Sequence, residues 1–362
     1  MTSLRQRARV RSAIERAARR ALSEVDSPYQ VALPAPPPPP EPPKPPAKDV
    51  TRALQPGHLA GDLDRASRLL AARLDEEDLA ELESRLVEHP QLHEHYLAVS
   101  DPVPPDDLVL AYGVWLGVPS IVEKTGLMAG EPPEEVHTMT RGALSAAGGL
   151  YEANMIADGL AGVGTEMGEV RSALDFGCSS GRVLRVMRAA YPQTAWHGCD
   201  PNAPAIEWAS ENLPEIEFFV NDNAPPLPLA DGSLDLVYAI SIWSHFAPEL
   251  GLRWFEEMHR VIRPGGHLVC TTHGLTSVAY NAAHGRSEEQ VEEILDALYR
   301  QGSWYAPEFG EEGDWGGVNP DWGTAVLSPE WMLTHLCPRW RILEFAPGRN
   351  QENQDVYVLQ RV

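Results

Sequence analysis

The chain has 362 residues and an apolar fraction of 43%, enough for one large domain with appendages or for two domains around a real core. Its formal charge is −23, and because residues 1–50 carry nine Lys or Arg against five acids, −23 less +4 leaves about −27 on the remainder. An acidic body of this kind lacks the clustered cations that neutralise phosphates, which excludes a nonspecific nucleic-acid binder and points to a small-molecule or glycan partner.

Residues 1–25 place Leu4, Ile14, Ala18, Leu22 and Val25 at helical spacing with arginines on the other flanks. Such a basic amphipathic segment suits weak peripheral contact with an anionic membrane surface, and a solvated tail is the plain alternative. From Pro34 to Lys48 the run "PAPPPPPEPPKPPAK" can bury nothing and reads as a disordered, extended polyproline spacer. Residues 1–50 are therefore expected to be a tail and linker, and residues 51–145 a helical region, with Leu and Ala recurring at three- and four-residue intervals. His89, His93 and His95 lie in that region beside Pro90, but no companion acid stands at ligand spacing, so no metal site is predicted. The four cysteines, Cys178, Cys199, Cys270 and Cys337, show no C-x-x-C pairing. With no apolar run of about 18 residues and no secretory apolar core at the start, the expected setting is cytoplasmic, at most membrane-peripheral.

After residue 170 strands and helices alternate. Predicted strands cover 171–176, 194–200, 216–221, 234–240 and 267–272, and helical patterns between several of them predict a parallel sheet with helices on both faces. "RWRILEFAPG" and "QDVYVLQR" follow one another without a helix and should pair antiparallel at one edge.

"DFGCSSGR", from Asp175 to Arg182, joins the first of these strands to a helix and fits two chemistries. Gly177 to Gly181 satisfies G-x-S-x-G, the hydrolase nucleophile elbow, which would make Ser179 a covalent catalyst. The same turn opens a helix whose free N–H groups could hold a cofactor. No HGGG-like segment precedes it, and an acid, Asp200, ends the next strand where it can accept from both hydroxyls of a ribose. Serine stands where a nicotinamide dinucleotide fold needs its second glycine, so NAD is disfavoured.

At these residues the chain resembles the class I S-adenosylmethionine-dependent methyltransferases. "ALDFGCSSGRVLR" is similar to their first motif, "CDPN" to their acidic second-strand end, "NDNAPPLPLADGSLDLVYAISIWSHF" to their third and fourth strands, and "RVIRPGGHLVCTTHG" to their fifth. The departure is Ser179 where many members carry glycine. The resemblance implies a Rossmann-like α/β fold, a seven-stranded sheet that is parallel except for an antiparallel C-terminal hairpin. It implies a methyltransferase domain over 146–362, interrupted by an aromatic insertion at 302–332. It also implies S-adenosylmethionine as cofactor, with Asp175 on the methionine amino group, Gly177, Cys178 and Gly181 around the methionyl part, and Asp200 on the ribose. Asp222 is expected on the adenine amino group with Asn223 beside it, Ser241 after the fourth strand, and Gly148, Gly149 and Tyr151 closing over the cofactor from the preceding helix.

A methyl sulfonium is already activated, so the protein need only align an acceptor and remove its proton. His245, in "SIWSHF", is the expected general base, and His273 the second candidate. Trp243 and the insertion's Trp304, Tyr305, Trp315 and Trp322, set among acids and glycines, are expected to stack on a sugar; filling a core is the alternative. The expected activity is O-methylation of a saccharide or glycosylated metabolite. A catalytically silent scaffold and a Ser179 hydrolase are the competing readings.

Overall fold

The computed structural model describes residues 64–99, 105–128, 130–136, 143–307 and 322–362. The basic tail, the polyproline run and the middle of the insertion, Trp315 included, lie outside the described residues. In chain order the strands are β1 (Ser172–Phe176), β2 (Ala195–Asp200), β3 (Glu217–Val220), β4 (Leu234–Ala239), β5 (Ile262–His273), β6 (Ser303–Ala306), β7 (Thr324–Leu327), β8 (Trp340–Asn350) and β9 (Gln354–Arg361). Seven of them form one sheet in the order β3-β2-β1-β4-β5-β9-β8. The first five run parallel, and β9 lies antiparallel between β5 and β8. The expected Rossmann-like sheet with its antiparallel C-terminal hairpin is present.

Why these segments become central strands is visible in their alternation. Ala173 of β1, Leu236 and Tyr238 of β4, Val269 of β5 and Val356 and Val358 of β9 point to one buried face, while Leu174, Val237, Leu268, Tyr357 and Leu359 point to the other. With both faces covered, every side chain contributes to a core, and fully burying one Leu or Val stabilises by about 1.5–3 kcal/mol.

The helices are α1 (Arg65–Ala71), α2 (Glu76–Leu86), α3 (Pro90–Val99), α4 (Asp106–Trp115), α5 (Pro119–Thr125), α6 (Ala143–Gly162), α7 (Arg182–Ala190), α8 (Ala203–Asn212), α9 (Pro248–Val261), α10 (Leu275–Ala283), α11 (Glu288–Gln301) and α12 (Pro329–Leu336). Helices α6, α7 and α8 cover the first face; α9 and α12 cover the second, with Trp254, Phe255, Met258 and Trp331 buried there. The N-terminal helices are not a separate unit. Ala66 and Leu70 of α1 and Leu110, Ala111 and Val114 of α4 join the core of the first face. Asn154 of α6 also caps α1, its Oδ1 accepting the Ala66 and Ser67 N–H groups at 2.8 and 2.9 Å. A satellite core of Leu82, Leu86, Tyr96, Leu108, Tyr112 and Ile121 holds α2 to α5, and Asp75 starts α2 by accepting the Glu77 and Asp78 N–H groups.

Within the insertion, β6 and β7 form an antiparallel pair, Ser303 opposite Leu327 and Ala306 opposite Thr324. Just before β7, Trp322 bridges antiparallel to Phe246, which docks this small sheet onto the segment that follows β4. Among the described residues no helix is long and apolar enough to cross a membrane.

Candidate active site

Strand order reverses between β1 and β4, because the chain leaves β1 toward β2 and β3 and returns to the other side of β1 as β4. A crevice opens outside the carboxyl ends of strands at such a switch point. Here it is a cavity of about 280 Å³. One side is formed by Asp175, Gly177, Cys178 and Ser179 of the β1 turn with Asp200 and Asn202 after β2. The other is formed by Ser241, Ile242, His245 and Phe246 after β4, with Trp322 of the insertion and Asn350, Gln351, Asn353 and Gln354 of the last hairpin.

The β1 turn is shaped for close approach. Gly177 has φ +86°, and a Cβ there would lie 2.1 Å from Ile242 Cδ1, so a side chain at this position is strained and displaces Ile242. The Ser179 N–H donates to Asp200 Oδ2 at 2.9 Å and the Asn202 N–H to Oδ1 at 2.8 Å, which ties the turns after β1 and β2 to one carboxylate. Asp175 is buried, and burial raises its carboxyl well above the ordinary range, against the lowering influences of Tyr238 and Arg182. Arg182 is itself held by Glu152 of α6, with Nη2 3.0 Å from Oε1 and Nη1 on Oε2.

Opposite, a polar network ties the end of β4 to the hairpin. The Ser241 N–H donates to Thr271 Oγ1 at 2.7 Å, the Thr271 hydroxyl donates to Gln354 Oε1 at 2.7 Å, and Gln354 Nε2 donates to Ser241 Oγ at 2.7 Å. Asn350 Nδ2 also donates to Gln354 Oε1, at 3.1 Å. Ser241 is held at φ +62° by this ring. His245 donates its Nδ1–H to the Gly323 carbonyl at 2.9 Å, so in the neutral ring Nε2 carries the lone pair. Burial lowers its pKa from the ordinary histidine value, with the Gly323 bond acting the other way.

Several expected site residues are elsewhere. His273 does not line the cavity; its Nδ1–H donates to the Ala325 carbonyl at 3.2 Å, Gln354 Nε2 stands 3.4 Å from its Nε2, and burial drives its pKa to about 4. Both ring nitrogens are so engaged, and His273 stands behind the cavity lining, where it had been expected as the second candidate base. Gly181 does not line the cavity either. Its φ of +78° starts α7, and a Cβ there would meet Leu213 at 2.8 Å, so helix packing demands this glycine. The Tyr151 hydroxyl is spent on the Arg349 carbonyl, and burial raises its pKa to about 12. Asp222 and Asn223 are exposed after β3 and outside the cavity lining.

Of the aromatics, Trp322 lines the cavity. Trp243 is core, stacked on Phe255 at 4.4 Å between ring centroids with its Nε1–H on the Gly251 carbonyl. Trp304 packs among Val278, Val291, Ile294 and Leu298 and donates to Glu293, and Tyr305 is half-buried beside it on β6, outside the lining. The cores took the rings of Trp243 and Trp304.

The Ser179 Oγ is buried and makes no hydrogen bond among the described residues, so no triad assembles there. Among the described residues no group of three His, Cys, Asp or Glu could hold a metal ion.

Sequence reasoning missed Glu152, Arg182 and the four amides of the hairpin. Two signals were available. An arginine in the first turn of a helix opposes the helix dipole and so calls for a local partner. "NQEN" between two apolar strands is a tight hairpin without glycine: Gln351 and Glu352 both have positive φ, 58° and 55°, and the Asn353 N–H donates to the Asn350 carbonyl at 3.1 Å. Asn-Gly is the pair such a turn prefers. Replacing Gln351–Glu352 by Asn–Gly should therefore raise stability by about 1 kcal/mol, read as a higher urea midpoint at unchanged slope. A midpoint that stays or falls would show that the turn carries no strain.

Residues 173–266 match a family model described as a methyltransferase domain. This segment is a methyltransferase domain. Its cofactor is S-adenosylmethionine, and the glycine cradle with carboxylates at two successive strand ends fits a ligand bearing an amino group and ribose hydroxyls. Among curated relatives, the methyltransferase domain is similar to a malonyl-[acyl-carrier protein] O-methyltransferase of Hahella chejuensis, 29% identical over 126 residues, 32% of this chain and 44% of that one. It is also similar to phthiotriol/phenolphthiotriol dimycocerosates methyltransferase 1 of Mycobacterium ulcerans, 31% identical over 103 residues, 28% of this chain and 37% of that one. The chain thus spans less than half the length of these relatives. A solved S-adenosylmethionine-dependent methyltransferase from Mesorhizobium loti aligns with a TM-score of 0.41 at 16% identity, covering 56% of this chain and 96% of that one.

Proposed function

We propose that the protein methylates a hydroxyl group of a neutral, polyhydroxylated acceptor, a saccharide or glycosylated metabolite. The observation that carries this reading is the chemistry of the wall opposite Asp175 and Asp200. Beside Ser241, Ile242 and Phe246 it presents an imidazole, an indole and four carboxamides, Asn350, Gln351, Asn353 and Gln354, of which Gln354 is engaged by Thr271, Asn350 and Ser241. Carboxamides and indoles match hydroxyls as donors, acceptors and stacking faces, whereas a carboxylate or phosphate acceptor calls for an available cation. The guanidinium that reaches the cavity, that of Arg182, is paired with Glu152.

When bound, S-adenosylmethionine supplies an electrophilic methyl group on sulfur. In this reading Asp175 holds the cofactor's ammonium, Asp200 accepts from its ribose, and the Gly177 turn lets backbone approach the methionyl chain. His245 takes the acceptor's proton on Nε2, and Trp322 with the hairpin amides holds the acceptor against the wall.

The test is methyl transfer from labelled cofactor to paired acceptors, neutral saccharides against free carboxylic acids of similar size. Transfer to acids alone would sink the reading, and no transfer to any acceptor by a protein that binds the cofactor would favour the silent scaffold.

A second expectation concerns protons. Burial raises the Asp175 carboxyl well above the ordinary range and an ammonium beside it acts in the opposite direction, so proton binding and cofactor binding compete at this group. Cofactor binding should release protons, so affinity weakens as pH falls, and the calorimetric heat should depend on the ionisation enthalpy of the buffer. Asp175→Asn should remove that dependence. Heats identical in two buffers of different ionisation enthalpy would rule the linkage out.

A further inference from the structure

The segment Trp322–Ala325, where the insertion returns to the sheet, touches both histidines near the cavity. Its Gly323 N–H donates to the His245 carbonyl at 2.9 Å and its Ala325 N–H to the Ser244 carbonyl at 2.8 Å, while Trp322 bridges to Phe246. The backbone around His245 is thereby stitched to the insertion at successive residues. The Gly323 carbonyl then accepts from His245 Nδ1 at 2.9 Å, and the Ala325 carbonyl accepts from His273 Nδ1 at 3.2 Å. A carbonyl oxygen only accepts, so each imidazole must carry its hydrogen on Nδ1.

We infer that this segment is a positioning element for His245, with the Gly323 carbonyl selecting the tautomer whose Nε2 carries the lone pair. The inference rests on the reading of His245 as the base. It adds that Trp322–Ala325, where the insertion returns to the sheet, is part of the catalytic apparatus: this segment fixes the ring's orientation and its proton. Without the carbonyl, either ring nitrogen can carry the hydrogen, and the Nε2–H form cannot take a proton from an acceptor. The position must be glycine, because a Cβ on residue 323 would lie 1.9 Å from the Ala306 carbonyl oxygen and 2.8 Å from its carbon. That contact also supplies the perturbation: Gly323→Ala forces β7 away from β6, and the Gly323 carbonyl away from His245.

The experiment uses the full chain labelled with nitrogen-15 in its histidine rings, and correlation spectra that separate protonated from unprotonated ring nitrogens. The His245 signals are identified by their loss in His245→Asn. The expected wild-type result is a neutral ring with a protonated Nδ1 and an unprotonated Nε2. Gly323→Ala should mix or invert that signature and lower kcat by about tenfold to a hundredfold. It should leave cofactor affinity within about twofold, since Asp175 and Asp200 lie on the other wall. A wild-type His245 protonated on Nε2 alone would overturn the inference. So would a Gly323→Ala variant with native signature and native kcat. If the variant does not fold, the wild-type spectrum alone decides. The tautomer is read with no acceptor present, so an Nδ1–H ring together with undiminished transfer by His245→Asn would sink the base reading while leaving the tautomer assignment standing.

Discussion

Asp200→Ala is expected to weaken S-adenosylmethionine binding by at least about 100-fold in a chain that stays folded, because hydrogen bonds to a charged group contribute about 1.5–3 kcal/mol each. The carboxylate ends β2 and lines the cavity. Two of its roughly four acceptor positions are oriented by the Ser179 and Asn202 N–H groups. Those two bonds aim the carboxylate, so the substitution removes the proposed ribose contact and also loosens the turn that approaches the methionyl chain. Asp200→Asn keeps one acceptor oxygen but turns an amide N–H toward a backbone N–H, so its affinity should fall between the two. Calorimetry with S-adenosylmethionine, alongside a thermal midpoint to show folding, measures the effect. Near-native affinity in a folded Asp200→Ala chain would remove this residue from the cofactor site.

The strands of the seven-stranded sheet were legible because both its faces are buried, whereas β6 and β7 of the insertion were not predicted. A residue such as Leu174 contributes to one core and its neighbour Ala173 to the other, which leaves an apolar run bounded by turn residues. The one boundary read late was the start of β5, expected at 267 and observed at Ile262. "RPGG" reads as a breaker, yet Ile262 pairs with Leu234, and a register shift before Leu236 absorbs the extra residues. Acids at the ends of β1 and β2 were legible for the same reason that they work: a strand end at a switch point delivers its last side chain to the crevice.

What composition could not show was side-chain direction within short elements. A cluster of tryptophans among glycines looks like a sugar platform, but Trp304 and Trp331 turned into cores, and Trp322 was left facing the cavity because its backbone bridges to Phe246. The hairpin amides had no periodicity to betray them. Their place depends on β9 running back between β5 and β8, which brings a turn some 80 residues downstream of Thr271 onto the end of β4. The insertion's grip on His245 is likewise a tertiary event, invisible in a stretch that alternates neither like a helix nor like a sheet edge.

His245→Asn separates chemistry from architecture at this point. Its Nδ2 can occupy the place of the histidine Nδ1 and keep the bond to the Gly323 carbonyl, observed at 2.9 Å in the native chain, but nothing replaces Nε2. Methyl transfer should fall by about 10²–10⁴-fold, the usual worth of a general base, with cofactor affinity and thermal midpoint unchanged. The wild-type rate should also carry a pH signature. Burial lowers the pKa of His245, so the neutral, proton-accepting ring persists below the ordinary histidine value of 6.5. The rate should therefore be flat through neutrality and fall only as pH drops through that lowered value; His245→Asn should lack this acid limb. A variant that transfers at a near-native rate, or that retains the limb, would mean that the acceptor loses its proton elsewhere and that His245 serves only to anchor the insertion to the sheet.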